Sequence, residues 1–92
     1  METFTLPATR ITSGTQFGRL LRTTRLAAGL TVAQVARELG VSPGAVSIRE
    51  LGQRNITVHD AVNELALVGY DLVVMRTGQI VGIDAVRDPQ AR

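Results

Sequence analysis

The sequence predicts a mainly α domain of four short helices, two of them forming a helix-turn-helix, followed by a C-terminal β-hairpin. Three observations predict it. The stretch from Leu30 to Gly52, LTVAQVARELGVSPGAVSIRELG, carries two helix-start signals on either side of a glycine turn. Apolar residues recur at helical spacing on both sides of that stretch, from Phe17 to Val68. Beyond residue 70 the pattern changes to the β-branched runs LVVM and IVGI, which flank Arg76-Thr77-Gly78-Gln79.

Residues 1–12, METFTLPATRIT, show no helical period and read as an extended or disordered arm. Arg10 on such an arm can reach a DNA minor groove. Residues 13–69 hold the helices. Ser13 and Gln16 have capping-box spacing, and Phe17, Leu20, Leu21 and Ala28 give the first helix a buried stripe ending at Gly29. Thr31 and Gln34 repeat that spacing at the second helix, whose stripe is Val32, Val35, Ala36 and Leu39. Gly40 ends it in the left-handed conformation a helix stop requires. Ser42 caps the third helix with Pro43 at its first position, where a missing N–H costs nothing. Gly52 closes that helix, and Gln53-Arg54-Asn55 forms a polar, basic loop. Thr57 and Asp60 start the fourth helix, which buries Ala61, Val62, Leu65, Ala66 and Val68 and stops at Gly69.

Residues 70–86 are expected to form the hairpin, with both faces apolar, and residues 87–92 a polar tail. An isolated two-stranded hairpin is barely stable in water, so a second copy of the chain is the simplest cover for its free face or edge. Leu72, Val74, Met75, Ile80, Val81 and Ile83 are the expected dimer contacts.

Composition narrows the function. With 92 residues there is room for one small domain, and 3% aromatic residues leave its core to Leu, Val, Ile and Ala. There is no cysteine, hence no disulfide and no thiolate metal site, and His59 alone cannot build a metal cluster. The serines have no oriented base, so no catalytic triad exists, and neither an enzyme nor a cofactor is expected. Leu65–Met75 is too short to span a bilayer, and the start of the chain lacks a signal-peptide pattern. A cytoplasmic protein is expected. All ten basic residues are arginine, and they are unevenly spread. Residues 1–56 hold seven Arg against three acids, whereas residues 57–92 hold three Arg against five. Such asymmetry suits a chain with one face toward phosphate and the other toward protein.

From Phe17 to Met75 the sequence resembles the lambda-repressor-like helix-turn-helix family, in its Xre-type branch. The matching elements are LLRTTRLAAGLT, VAQVARELGVS and VS-x-x-ELG from Val46 to Gly52, with Ala36, Gly40, Ser42, Val46, Glu50 and Gly52 at the family spacing. The resemblance implies operator binding as a dimer and an ion pair between Arg25 and Glu50. The fourth helix and following strands are similar to Cro-type repressors and HigA-like antitoxins. The sequence departs from the family where DNA is read. Val32 stands where a glutamine is common, Pro43 and Gly44 where long polar residues are usual, and Ile48-Arg49 reverses the usual polar-apolar order. If Glu50 and Gly52 keep the family register, Arg49 points inward; if the helix rolls, it swings toward DNA.

The candidate DNA contacts are Thr31, Arg37, Ser42, Pro43, Gly44, Ser47, Arg49, Arg54 and Asn55. Helix starts at Thr31 and Ser42 offer N–H groups to phosphate, and Arg37, Arg54 and Asn55 flank them. Three functions compete: a dimeric sequence-specific repressor on operator DNA, an antitoxin that neutralises a toxin protein and controls its own operon, and a protein-interaction module with little DNA readout.

Overall fold

The computed structural model describes residues 2–6, 9–74, 76 and 83–87. In chain order the elements are β1 (Glu2–Leu6), α1 (Gly14–Ala27), α2 (Val32–Leu39), α3 (Pro43–Glu50), α4 (Val58–Leu67) and β2 (Ile83–Arg87). They divide into a helical unit, Ile11–Leu72, and a second unit that holds the two strands.

Each helix starts where a side-chain oxygen satisfies a donor that the helix itself leaves open. The hydroxyls of Ser13, Thr31, Ser42 and Thr57 accept from the N–H groups of Gln16, Gln34, Ala45 and Asp60 at 3.0–3.1 Å. At α2 the box closes, because Gln34 Oε1 accepts the Thr31 N–H at 2.8 Å. At α1 the Gln16 amide oxygen reaches one residue further back and accepts from the N–H and hydroxyl of Thr12. Each such cap contributes about 1 kcal/mol. Gly40 ends α2 at φ +70°, and the Val41 N–H then donates back to the Ala36 carbonyl at 3.0 Å. That left-handed residue turns the chain within three positions from one helix to the next.

The core is aliphatic. Leu21, Val35, Ala36, Val46, Ala61 and Leu65 are buried, with Val46 inaccessible to solvent. Leu30, Val32, Leu39, Val41 and Leu67 pack around the Val35–Ala36–Val46 centre. Two expected stripe positions, Ala28 and Ala66, are exposed, and Val62 is largely so. The buried side of α1 is instead Gly18, Leu21, Thr24 and Arg25. A Cβ on Gly18 would lie 2.5 Å from the Glu50 carbonyl oxygen and 2.8 Å from that of Arg49. Helices α1 and α3 therefore meet backbone to backbone there. Gly52 makes the reciprocal approach, since a Cβ on it would sit 2.7 Å from the Gly14 carbonyl oxygen.

The expected C-terminal hairpin is corrected by the strand pairing. Residues 71–74 form no strand and are exposed. β2 begins at Ile83 and runs antiparallel to β1, with Glu2 opposite Arg87 and Leu6 opposite Ile83. The N-terminal stretch is thus a strand partner. Its residue types, Thr-Phe-Thr-Leu, favour extended backbone, and the pairing joins opposite ends of the chain, where no local turn signal reveals it. Of the expected dimer contacts, Leu72 and Val74 are exposed, Ile83 lies in β2, and Met75, Ile80 and Val81 lie outside the described residues.

Candidate nucleic-acid interface

The third helix is held at its C-terminal end by two ion-pair systems on neighbouring residues. Glu50 faces α1. Arg25 Nε donates to Glu50 Oε2 at 2.7 Å and Arg25 Nη2 to Glu50 Oε1 at 3.1 Å, a two-pronged pair with both side chains about nine-tenths buried. Arg25 Nη1 also donates to the Leu30 carbonyl at 2.9 Å, tying in the approach to α2. The Glu50 hydrogen bond raises the Arg25 pKa above its ordinary value, against the opposing effect of burial.

Arg49 faces α4. Its Nη1 donates to Glu64 Oε1 at 3.1 Å, and Nη2 lies 3.6 Å from Asp60 Oδ2. Of the two registers open to the sequence, α3 adopts the one with Arg49 inward, its side chain only 16% exposed. That removes Arg49 from the set of candidate DNA contacts, because a guanidinium turned toward the groove would leave the buried Glu64 carboxylate without its partner. A shallow pocket of about 50 Å³ beside it is lined by Leu39, Val41, Arg49, Asp60 and Asn63.

Burial raises the Glu64 pKa, and the hydrogen bond from Arg49 only partly offsets it. The folded state thus holds the Glu64 proton more tightly than the unfolded chain does. This contribution to stability is complete below the unfolded-state pKa and is lost as pH rises through the folded-state value. Accordingly, wild type should gain stability relative to Glu64→Gln as pH falls from 7 toward 4. Urea unfolding of both proteins at several pH values checks this.

The solvent side of the motif carries the remaining candidates. Thr31, Arg37, Ser42, Pro43, Gly44, Ser47, Arg54 and Asn55 are all exposed. The Thr31 and Ser42 hydroxyls are engaged as caps, so what each helix start can offer an anion is backbone N–H. Pro43 has none, which makes Gly44 N–H the first donor at the start of α3. No ion pair among the described residues engages Arg37 or Arg54. His59 is exposed on α4, with its Nε2 3.1 Å from Asn63 Nδ2. No helix among the described residues is long and apolar enough to cross a membrane.

Three residues that position α3 are not evident from local pattern alone: Gly18, Asp60 and Glu64. A signal for Glu64 does exist. It is an acid within the apolar stripe of α4, between Ala61 and Leu65, while Arg49 is a base at an inward position of α3.

Comparison with known proteins agrees with this architecture. A family model described as a helix-turn-helix domain matches residues 16–75. Among solved structures, the clp gene regulator ClgR from C. glutamicum is similar, with TM-score 0.63 and 25% sequence identity, over 71% of this chain and 83% of that one. No curated protein matches in sequence. With the capped α2–turn–α3 unit and a family match over residues 16–75, the chain belongs to the helix-turn-helix domain family, in its Xre-type, lambda-repressor-like class.

Proposed function

We propose that this chain is a DNA-binding transcription regulator that acts on operator DNA as a pair of copies, each placing α3 in the major groove. The observation that carries this reading is the solvent face of the motif. The starts of α2 and α3 are exposed, as are Arg37 and Arg54, which have no carboxylate partner among the described residues. Backbone N–H groups and arginine are the groups that fix a protein on phosphate. The similarity to ClgR, a gene regulator, supports the same reading.

Pairing of copies is supported by two features. Among the described residues the sheet has only two strands, a size that is marginal in water and leaves an outer edge on each. Tyr70, Leu72, Val73 and Val74 also expose apolar surface. Two copies on half-sites about 34 Å apart would bind one face of the duplex. A second reading, a protein-interaction module that has kept the motif but has little DNA readout, is favoured by the absence of long polar side chains on the exposed face of α3. A gel-shift titration with the DNA upstream of its own gene separates them. The regulator reading expects a shift at low salt with two protomers per duplex, and no shift would favour the interaction module.

A further inference from the structure

We infer that α3 reads its DNA site through the C5-methyl groups of thymine, by apolar contact, and not through hydrogen-bonded base edges. The inference rests on the DNA-binding reading and specifies what that site recognises. Direct readout by hydrogen bonds uses Arg or Lys on guanine and Asn or Gln on adenine. The exposed positions of α3 are Pro43, Gly44 and Ser47, with Ala45 and Ile48 half-buried beside them. None has a two-pronged polar head. Arg49 and Glu50, the two such heads on the helix, are tied to Glu64 and Asp60 on α4 and to Arg25 on α1. Ser47 can bond to any base edge, so it does not discriminate.

Gly44 adds an independent observation. Its φ is not positive, so backbone conformation does not demand glycine. A Cβ there would find Ser42 Oγ as its nearest neighbour, at 3.9 Å, so packing within the chain does not demand it either. Glycine is the poorer helix former at such a position. A bare Cα at the exposed start of α3 does allow the helix backbone to approach the floor of the groove. There the thymine methyl is the one apolar feature a base pair presents, and Pro43 and Ile48 are the apolar groups to meet it.

The test uses the full chain and a pool of random 30-bp duplexes, enriched by repeated binding. Enrichment of thymine at fixed positions is expected. Replacing those thymines by uracil, which removes only the methyl, should weaken binding about fourfold per contacted methyl, or about fifteenfold for a symmetric pair. A 5-methylcytosine–guanine pair at the same position should bind better than cytosine–guanine, since the methyl is shared. Replacing guanine by 7-deazaguanine, which removes an acceptor, should leave affinity unchanged. Gly44→Gln should weaken binding at least tenfold while its circular dichroism remains that of wild type.

Equal binding to uracil and thymine sites, a large loss with 7-deazaguanine, or wild-type affinity of Gly44→Gln would overturn the inference. Binding without any enriched sequence would also overturn it, while leaving DNA binding itself intact. Failure to bind any duplex at low salt would overturn the DNA reading together with the inference.

Discussion

Glu50→Ala is expected to destabilise the helical unit by about 3–5 kcal/mol, the cost of leaving a buried charge without its partner. Arg25 and Glu50 are about nine-tenths buried at the side chain and share two short hydrogen bonds. Removing the carboxylate leaves the Arg25 guanidinium with the Leu30 carbonyl as its remaining acceptor. Against a total stability of about 5–15 kcal/mol, that loss removes a large part of what holds the fold. The same pair should be replaceable, since well-packed apolar residues often substitute for a buried ion pair at little cost. Arg25→Met with Glu50→Leu should therefore recover most of the loss. Urea midpoints of the single and double variants check both statements. A loss under about 1 kcal/mol for Glu50→Ala would mean that the pair behaves as an exposed one.

Gly18→Ala is expected to cost about 3 kcal/mol, although alanine is the better helix former. The added methyl meets backbone, the Glu50 and Arg49 carbonyl oxygens and the Gly52 nitrogen, and none of these can rotate aside. Relief requires moving α3 away from α1. That movement would stretch the Arg25–Glu50 pair, which bridges the same two helices. Gly14→Ala is the control. Its Cβ would meet only the Gly52 carbonyl oxygen, at 3.6 Å, so that variant should match or exceed wild type. A Gly18→Ala protein as stable as wild type would contradict the backbone contact between α1 and α3.

The helical unit is legible in the sequence because its determinants are local. Ser13, Thr31, Ser42 and Thr57 mark the helix starts, since each cap needs only a partner three residues ahead. The strands are not legible in the same way. Their pairing joins Glu2–Leu6 to Ile83–Arg87 across the whole chain, whereas LVVM and IVGI, read locally, suggest a hairpin. The candidate interface is divided between these cases. Arg37, Arg54, Ser47 and the helix starts lie at solvent-facing positions of a patterned motif. The direction of Arg49 depends on Glu64 and Asp60, 15 and 11 residues later on another helix, and packing decides it. Gly18 reads as an unfavourable helix residue until α3 is laid against it.

On the proposed function, the motif engages duplex DNA through phosphate, with arginine and helix starts as anchors. The most direct test is the dependence of DNA affinity on salt. Arg37 and Arg54 supply two neutralised phosphates per copy, so a pair of copies should give a slope of log K against log salt of about −3.6. Arg37→Ala and Arg54→Ala should each make that slope shallower, by about 0.9 for every phosphate contact removed, with similar loss on all sequences. Binding that persists unchanged from low to high salt, or a slope indifferent to both arginines, would contradict it.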